Sequence, residues 1–186
     1  MSQSSSKRKT HLPCRQSLTR PTRMTARVLH KVFVYGTLKR GEPNHHWFAK
    51  SPEGHHQFLY RGHTKEKFPL IIATDYNVPF LLYAPGKGHR VQGEVYEVDD
   101  AVLKNLDILE DHPSFYRREE FEVERDDGRE PKSDRVWIYS IREFRKELLN
   151  KPCLESYSDQ GSHGLRYVER YLRDRSFDIR TAVLDQ

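Results

Sequence analysis

The chain has 186 residues, 35% of them hydrophobic and 11% aromatic, which suits one domain with a core and a pocket rather than two. No apolar run approaches the roughly 20 residues that span a bilayer; the longest, Pro79 to Tyr83, is strand-sized. The net charge of +5 is local: residues 1–41 hold ten Lys or Arg and no acid, the remainder carries 22 against 27 Asp or Glu, and that acidic body gives no electrostatic reason for a nucleic-acid partner.

Residues 1–27 read as a basic extension, rich in Ser, Thr, Arg and Lys and broken by Pro13 and Pro21. A mitochondrial transit peptide shares the lack of acids but must also be amphipathic. Only Leu12, Leu18 and Met24 are available for an apolar face, so an extension ahead of a functional start near Met24 is the preferred reading. The domain proper is expected over 28–175, with 176–186 as a C-terminal tail. Val32-Phe33-Val34-Tyr35, stopped by Gly36, reads as a buried strand. Residues 42–60 are polar with four His and read as a short helix or loop. Pro69 to Ala73, Pro79 to Tyr83 and Val91 to Val98 are strands, the first two with Pro at the start, where a missing N–H matters least.

The period then changes. Asp99-Asp100 can cap a helix from Ala101 to about Asp111, which His112-Pro113 ends. Phe121 and Val123 alternate with acids in a half-exposed strand, Asp126-Asp127-Gly128 turns the chain, and Val136 to Tyr139 returns. Gly164 to about Arg175 reads as a terminal helix on the spacing of Leu165, Val168 and Leu172. Five or six strands with one clear central helix imply an α+β domain with a closed or strongly curved mixed sheet.

One acid stands out on the central helix. At about 100° per residue, Val102, Leu103, Leu106 and Leu109 share one side. Glu110 falls within that arc, while Lys104, Asp107 and Asp111 fall outside it and are expected in water. An inward Glu is costly unless paired or used, and burial raises its pKa towards the range of a general base or acid. The competing reading is a rim carboxylate paired with Arg117 or Arg118, and periodicity alone favours it. A second candidate is Tyr35-Gly36-Thr37-Leu38, where a strand ending in Gly can present consecutive N–H groups to an anion.

Other chemistries find little support. His45-His46 and His55-His56 are adjacent pairs that do not share a helix face, with no HExxH and no Cys/His ligand spacing. No GxSxG elbow is present. Cys14 and Cys153 form no CxxC, and Cys153 lacks an activating neighbour. Thr37 as a covalent nucleophile is conceivable.

The run Val32 to Gly41, with Gly93-Glu94-Val95-Tyr96, Leu106-Asp107, Glu110 and Tyr116 following in order, resembles the γ-glutamylcyclotransferase superfamily. Gly41-Glu42-Pro43-Asn44-His45, Phe68 to Ala73, Asn77 to Leu82 and His163-Gly164-Leu165-Arg166-Tyr167 resemble its γ-glutamylamine branch. The resemblance spans about residues 31–167. It implies Glu110 as the catalytic acid/base and Tyr35, Gly36, Thr37 and Leu38 as substrate-binding. It implies cyclisation of L-γ-glutamyl-L-ε-lysine to 5-oxoproline with release of lysine. It also implies a barrel-like mixed sheet with flanking helices and a single pocket, a small-molecule substrate, and no metal or organic cofactor. A cytoplasmic monomer without nucleic-acid or membrane partners is expected. Other γ-glutamyl amino acids or glutathione as substrates, and a non-catalytic binding module, are the alternatives.

Overall fold

The computed structural model describes residues 27–174 and 176–185. The extension expected over 1–27 therefore lies, Arg27 apart, outside the described residues, as does Cys14. Seven strands form, β1 (Leu29–Val34), β2 (His56–Phe68), β3 (Leu70–Ile72), β4 (Pro79–Leu81), β5 (His89–Asp99), β6 (Arg117–Arg125) and β7 (Ser133–Ser140), with helices α1 (Asp100–Leu109) and α2 (Ile179–Val183). Five strands close a barrel in the order β1-β5-β2-β6-β7, and β3 and β4 make a separate hairpin sheet. The closing contact, Val32 against Trp137 between β1 and β7, is parallel; the other barrel pairings are antiparallel. The mixed, barrel-like α+β sheet expected from the sequence is thus present.

Strand alternation divides the core in two. Phe33, Val95, Val123, Val136 and Ile138 pack with Tyr60 inside the barrel. Their neighbours Val32, Val34, Tyr96, Val98 and Tyr139 face the outer layer, where Val102, Leu103 and Leu106 of α1 cover them. Both faces of β1 are therefore buried, which is why its run is continuously apolar. Each such side chain contributes about 1.5–3 kcal/mol on burial.

The helix starts as its sequence dictates. Asp99 is the N-cap, accepting from Val102 N at 3.0 Å and from His55 N at 2.9 Å. Its end comes two residues before the expected one. Glu110 is the C-cap, Asp111 takes φ +52°, and His112-Pro113 is a cis peptide.

Three segments differ from the sequence reading. The stretch read as helix or loop holds a short 3₁₀ turn, His45–Ala49, followed by β2, a 13-residue strand. The terminal helix over Gly164–Arg175 does not form. Its N–H groups bond elsewhere: Leu165 N to His163 Nδ1, Tyr167 N to Asp159 Oδ1 and Val168 N to Tyr76 O. A 3₁₀ turn, Arg170–Leu172, remains, and Leu172 is exposed. The stretch read as a tail contains α2, which Asp178 caps through Arg180 N and which buries Val183 in the outer core.

Candidate active site

β1 delivers the chain into the loop Tyr35 to Asn44. Tyr35 is buried, and its hydroxyl donates to Tyr139 O at 2.8 Å. Gly36 is required by space: a Cβ there meets Pro79 Cγ at 2.6 Å. The loop folds its carbonyls outward into bonds. Gly36 O accepts from Lys39 N at 3.1 Å and Thr37 O from Asn44 N at 2.9 Å. Leu38 O lies 2.9 Å from His45 Nδ1. The N–H groups of Gly36, Thr37 and Leu38 have no acceptor among the described residues. They form a set of free donors of the kind that binds anions.

Two further contacts fix this loop. Glu94, 4% exposed, accepts from Arg40 N at 2.9 Å and from Tyr96 OH at 2.8 Å. Asn44 Nδ2 donates to Thr37 Oγ1 at 3.0 Å and to Tyr167 OH at 2.9 Å, tying the loop to the C-terminal segment. Glu94 is therefore a buried staple. Thr37 Oγ1 accepts from an amide and makes no hydrogen bond to a base among the described residues, so nothing in this arrangement activates it as a nucleophile.

Glu110 faces the same cavity. The arginines that a rim carboxylate would use are engaged elsewhere: Arg118 with Asp107 at 2.9 Å and Arg117 with Glu143 at 3.5 Å. Three tyrosines surround the site, and each spends its hydroxyl proton on another group. Tyr35 donates to Tyr139 O, Tyr139 to Asp107 Oδ1 at 2.7 Å, and Tyr116 to Pro79 O at 3.2 Å. The Glu110 side chain has no ion pair or hydrogen bond among the described residues. It retains surface on the cavity but lies deep in the protein, and desolvation pushes its pKa up to about 8. Burial, with Glu110 as a lesser cause, likewise raises the Tyr35 phenol. For Tyr116, burial is followed by Tyr35 and then Glu110. All three phenols stay neutral at ordinary pH.

The cavity holds about 480 Å³, within the range of small-ligand sites, and Tyr35, Gly36, Thr37, Leu38 and Glu110 all line it. The fold therefore brings together every candidate site residue of the sequence. Sequence reasoning missed Tyr139, Tyr167, Glu169 and Arg173, which also line the cavity. It also placed Asp107 in water, whereas that carboxylate is held by Arg118 and Tyr139. Cys153 lies away from this cavity, and burial raises its thiol pKa, which disfavours the thiolate. Among the described residues no three His, Cys, Asp or Glu side chains converge as a metal site, and no helix is long and apolar enough to cross a membrane.

Residues 32–159 match the family model described as gamma-glutamyl cyclotransferase, AIG2-like. The chain belongs to this family. The matched region includes the Gly36 loop and Glu110 and ends ten residues before Glu169. A Mus musculus protein named gamma-glutamylaminecyclotransferase is 47% identical over 143 residues, covering 75% of this chain and 96% of its own. A Danio rerio relative, gamma-glutamylaminecyclotransferase C, is 44% identical over 151 residues, with 80% and 98% covered. The crystal structure of an AIG2-like protein from Mus musculus superposes with a TM-score of 0.74 at 46% identity. It covers 78% of this chain and 99% of that one. The two folds thus correspond over most of this chain.

Proposed function

We propose that the protein is a γ-glutamylamine cyclotransferase that converts L-γ-glutamyl-L-ε-lysine to 5-oxoproline and lysine. The observation that carries this reading is the pairing, across one cavity, of an unpartnered carboxyl group with a row of free backbone N–H groups. The names of the relatives in mouse and zebrafish support the branch.

The substrate carries both reacting groups, so the enzyme must hold it folded and move protons. Such orientation can supply about 7–11 kcal/mol of the barrier. Glu110, as carboxylate, takes a proton from the α-ammonium. The freed amine attacks the γ-carbonyl carbon, closing the ring and placing negative charge on the carbonyl oxygen. The N–H groups of Gly36, Thr37 and Leu38 bind that oxygen or the α-carboxylate, and being fixed they pay no reorganisation at the moment of charge development. The C–N bond to the leaving amine then breaks as Glu110 returns protons to its nitrogen. The ring nitrogen ends with one hydrogen and the departing amine as an ammonium, so the proton count closes without any oxidant or reductant. A carboxyl pKa near that of an amine makes each transfer nearly balanced.

The test is 5-oxoproline release from γ-glutamyl-ε-lysine, γ-glutamyl-alanine and glutathione, with Glu110→Gln alongside. Turnover of the lysine dipeptide, lost in the variant, is the expected result. Turnover only of the other two substrates would keep the chemistry and reject the branch. A folded wild type inert towards all three would leave a binding module in place of the enzyme.

A further inference from the structure

The wall beyond the family-model match carries charges that the reaction does not use. The 3₁₀ turn Arg170–Leu172 has Glu169 as its N-cap residue and Arg173 as its C-cap residue, and both line the cavity. Neither has a salt-bridge partner within 4.0 Å among the described residues, and they do not pair with each other. Arg173 is nevertheless held in place. Its Nε donates to Val168 O at 2.9 Å, and its guanidinium lies 5.7 Å over the Tyr76 ring and 5.6 Å over the Tyr167 ring. Tyr167 in turn is fixed to the Gly36 loop through Asn44. The terminal nitrogens of Arg173 make no hydrogen bond or ion pair among the described residues. Beside them, Tyr171 and Ile108 line the cavity as large apolar side chains with 78% and 60% of their surface exposed.

An isolated cation and an isolated anion at the two ends of one turn, next to exposed apolar surface, complement a particular ligand shape: an aliphatic stem ending in a free ammonium and a free carboxylate. We propose that Glu169 and Arg173 form a subsite for the zwitterionic amino-acid head of the departing amine, with the ammonium on Glu169 and the carboxylate on Arg173. The proposal rests on the cyclotransferase reading and deepens it, because it predicts a preference for lysine over a plain alkylamine and assigns it to two side chains.

Four γ-glutamyl amides separate the contributions. Lysine linked through its ε-amine carries both charges. Cadaverine lacks the carboxylate, 6-aminohexanoate lacks the ammonium, and pentylamine lacks both. KM and kcat are measured on wild type, Glu169→Gln and Arg173→Met, and Kd by calorimetry on the same proteins. The methionine keeps an unbranched stem between the rings. Wild type is expected to favour the lysine amide over each single-charge amide by about tenfold in KM and Kd, the size of one charge-assisted contact, with little change in kcat. Arg173→Met should abolish the lysine-over-cadaverine ratio while sparing lysine over aminohexanoate, and Glu169→Gln the reverse. Equal weakening of all four amides by Arg173→Met would overturn the proposal, assigning Arg173 to the glutamyl half or to the fold. So would a wild type that does not distinguish lysine from pentylamine, or binds none of the four. If wild type turns over none of them yet binds with the expected ratios, the reaction reading fails and the subsite stands.

Discussion

Asp107 and Glu110 lie one turn apart at the end of α1 and have opposite surroundings. Asp107 accepts two bonds from Arg118 Nη1 at 2.9 Å and one from Tyr139 OH at 2.7 Å, whereas the Glu110 carboxyl has no partner. The first carboxylate absorbs the nearest guanidinium and phenol, and so leaves the second without a charge to hold it ionised. Two acids on one helix thereby take two roles, one holding neighbours in place and one free to exchange a proton.

This separation gives Glu110 a pH signature. Its pKa in the folded protein, about 8, lies above the ordinary 4.5, so the folded state holds a proton that the unfolded state has lost between those values. Stability therefore falls as pH rises from about 4.5 to 8. Glu110→Gln removes the titration. The variant should match wild type near pH 4 and exceed it by on the order of 2–4 kcal/mol above pH 8, since water in the cavity tempers the full effect. Paired urea titrations at the two pH values check this. Catalysis runs the opposite way: kcat/KM should rise towards pH 8 as the base ionises, and Glu110→Gln should lose about 10²–10⁴-fold. Equal pH dependence of stability in the two proteins would remove the basis for the raised pKa.

The Asp107 cluster predicts a second asymmetry. Arg118→Met leaves a half-buried carboxylate with only Tyr139, while Arg118 also stacks over Trp137 at 5.2 Å. A loss of about 1–3 kcal/mol is expected. The double variant Arg118→Met with Asp107→Leu should recover much of it, because no charge is then left unpaired. Chemical denaturation of the single and double variants measures the coupling.

The part of this site built from Glu110 and the Gly36 loop is legible in the sequence because its determinants are local. Apolar spacing set the inward arc of α1, Asp99 marked its start, and Gly36 marked the end of β1. The ambiguity over Glu110 was real, since whether Arg117 or Arg118 reaches it depends on β6 and β7 rather than on the helix. β2 was illegible for a related reason. Its buried positions include Gly62 and Thr64, where a run of Val or Ile would be expected. Gly62 is needed because a Cβ there meets Glu124 O at 2.3 Å, and Thr64 is satisfied by Glu66 O and Val91 N. The wall with Glu169 and Arg173 was hidden by long-range bonding. Apolar spacing suggested a helix, but Asp159 and Tyr76 take the N–H groups that a helix would have used.

The close approach at Gly36 supplies a test, with a rescue, of the proposed anion-binding role of the loop. Gly36→Ala drives a methyl group into Pro79 Cγ at 2.6 Å, while Pro79 Cβ stands at an ordinary 3.6 Å. The variant should lose about 1–3 kcal/mol of stability through overpacking. Displacement of the neighbouring N–H groups should lower kcat/KM by about 10²-fold or more. Adding Pro79→Ala removes the struck carbon and should restore most of both. Failure of the second change to restore activity would mean that the N–H row does not depend on this contact.

The last element gives a further test, of where the folded body ends. Val183 is fully buried among the outer core, and its carbonyl accepts from Arg145 N at 2.9 Å. Arg180 pairs with Asp111, the residue after Glu110, so α2 braces the chain immediately beyond the Glu110 carboxyl. A disordered tail would tolerate change at Val183, whereas a core position would not. Val183→Ala is expected to cost about 1–3 kcal/mol in urea denaturation. Arg180→Ala, at a half-exposed ion pair, should cost under about 1 kcal/mol but alter kcat through the freedom it gives Asp111 and Glu110. A Val183→Ala protein as stable as wild type would show that α2 does not belong to the cooperative core, and the brace on Glu110 would fall with it.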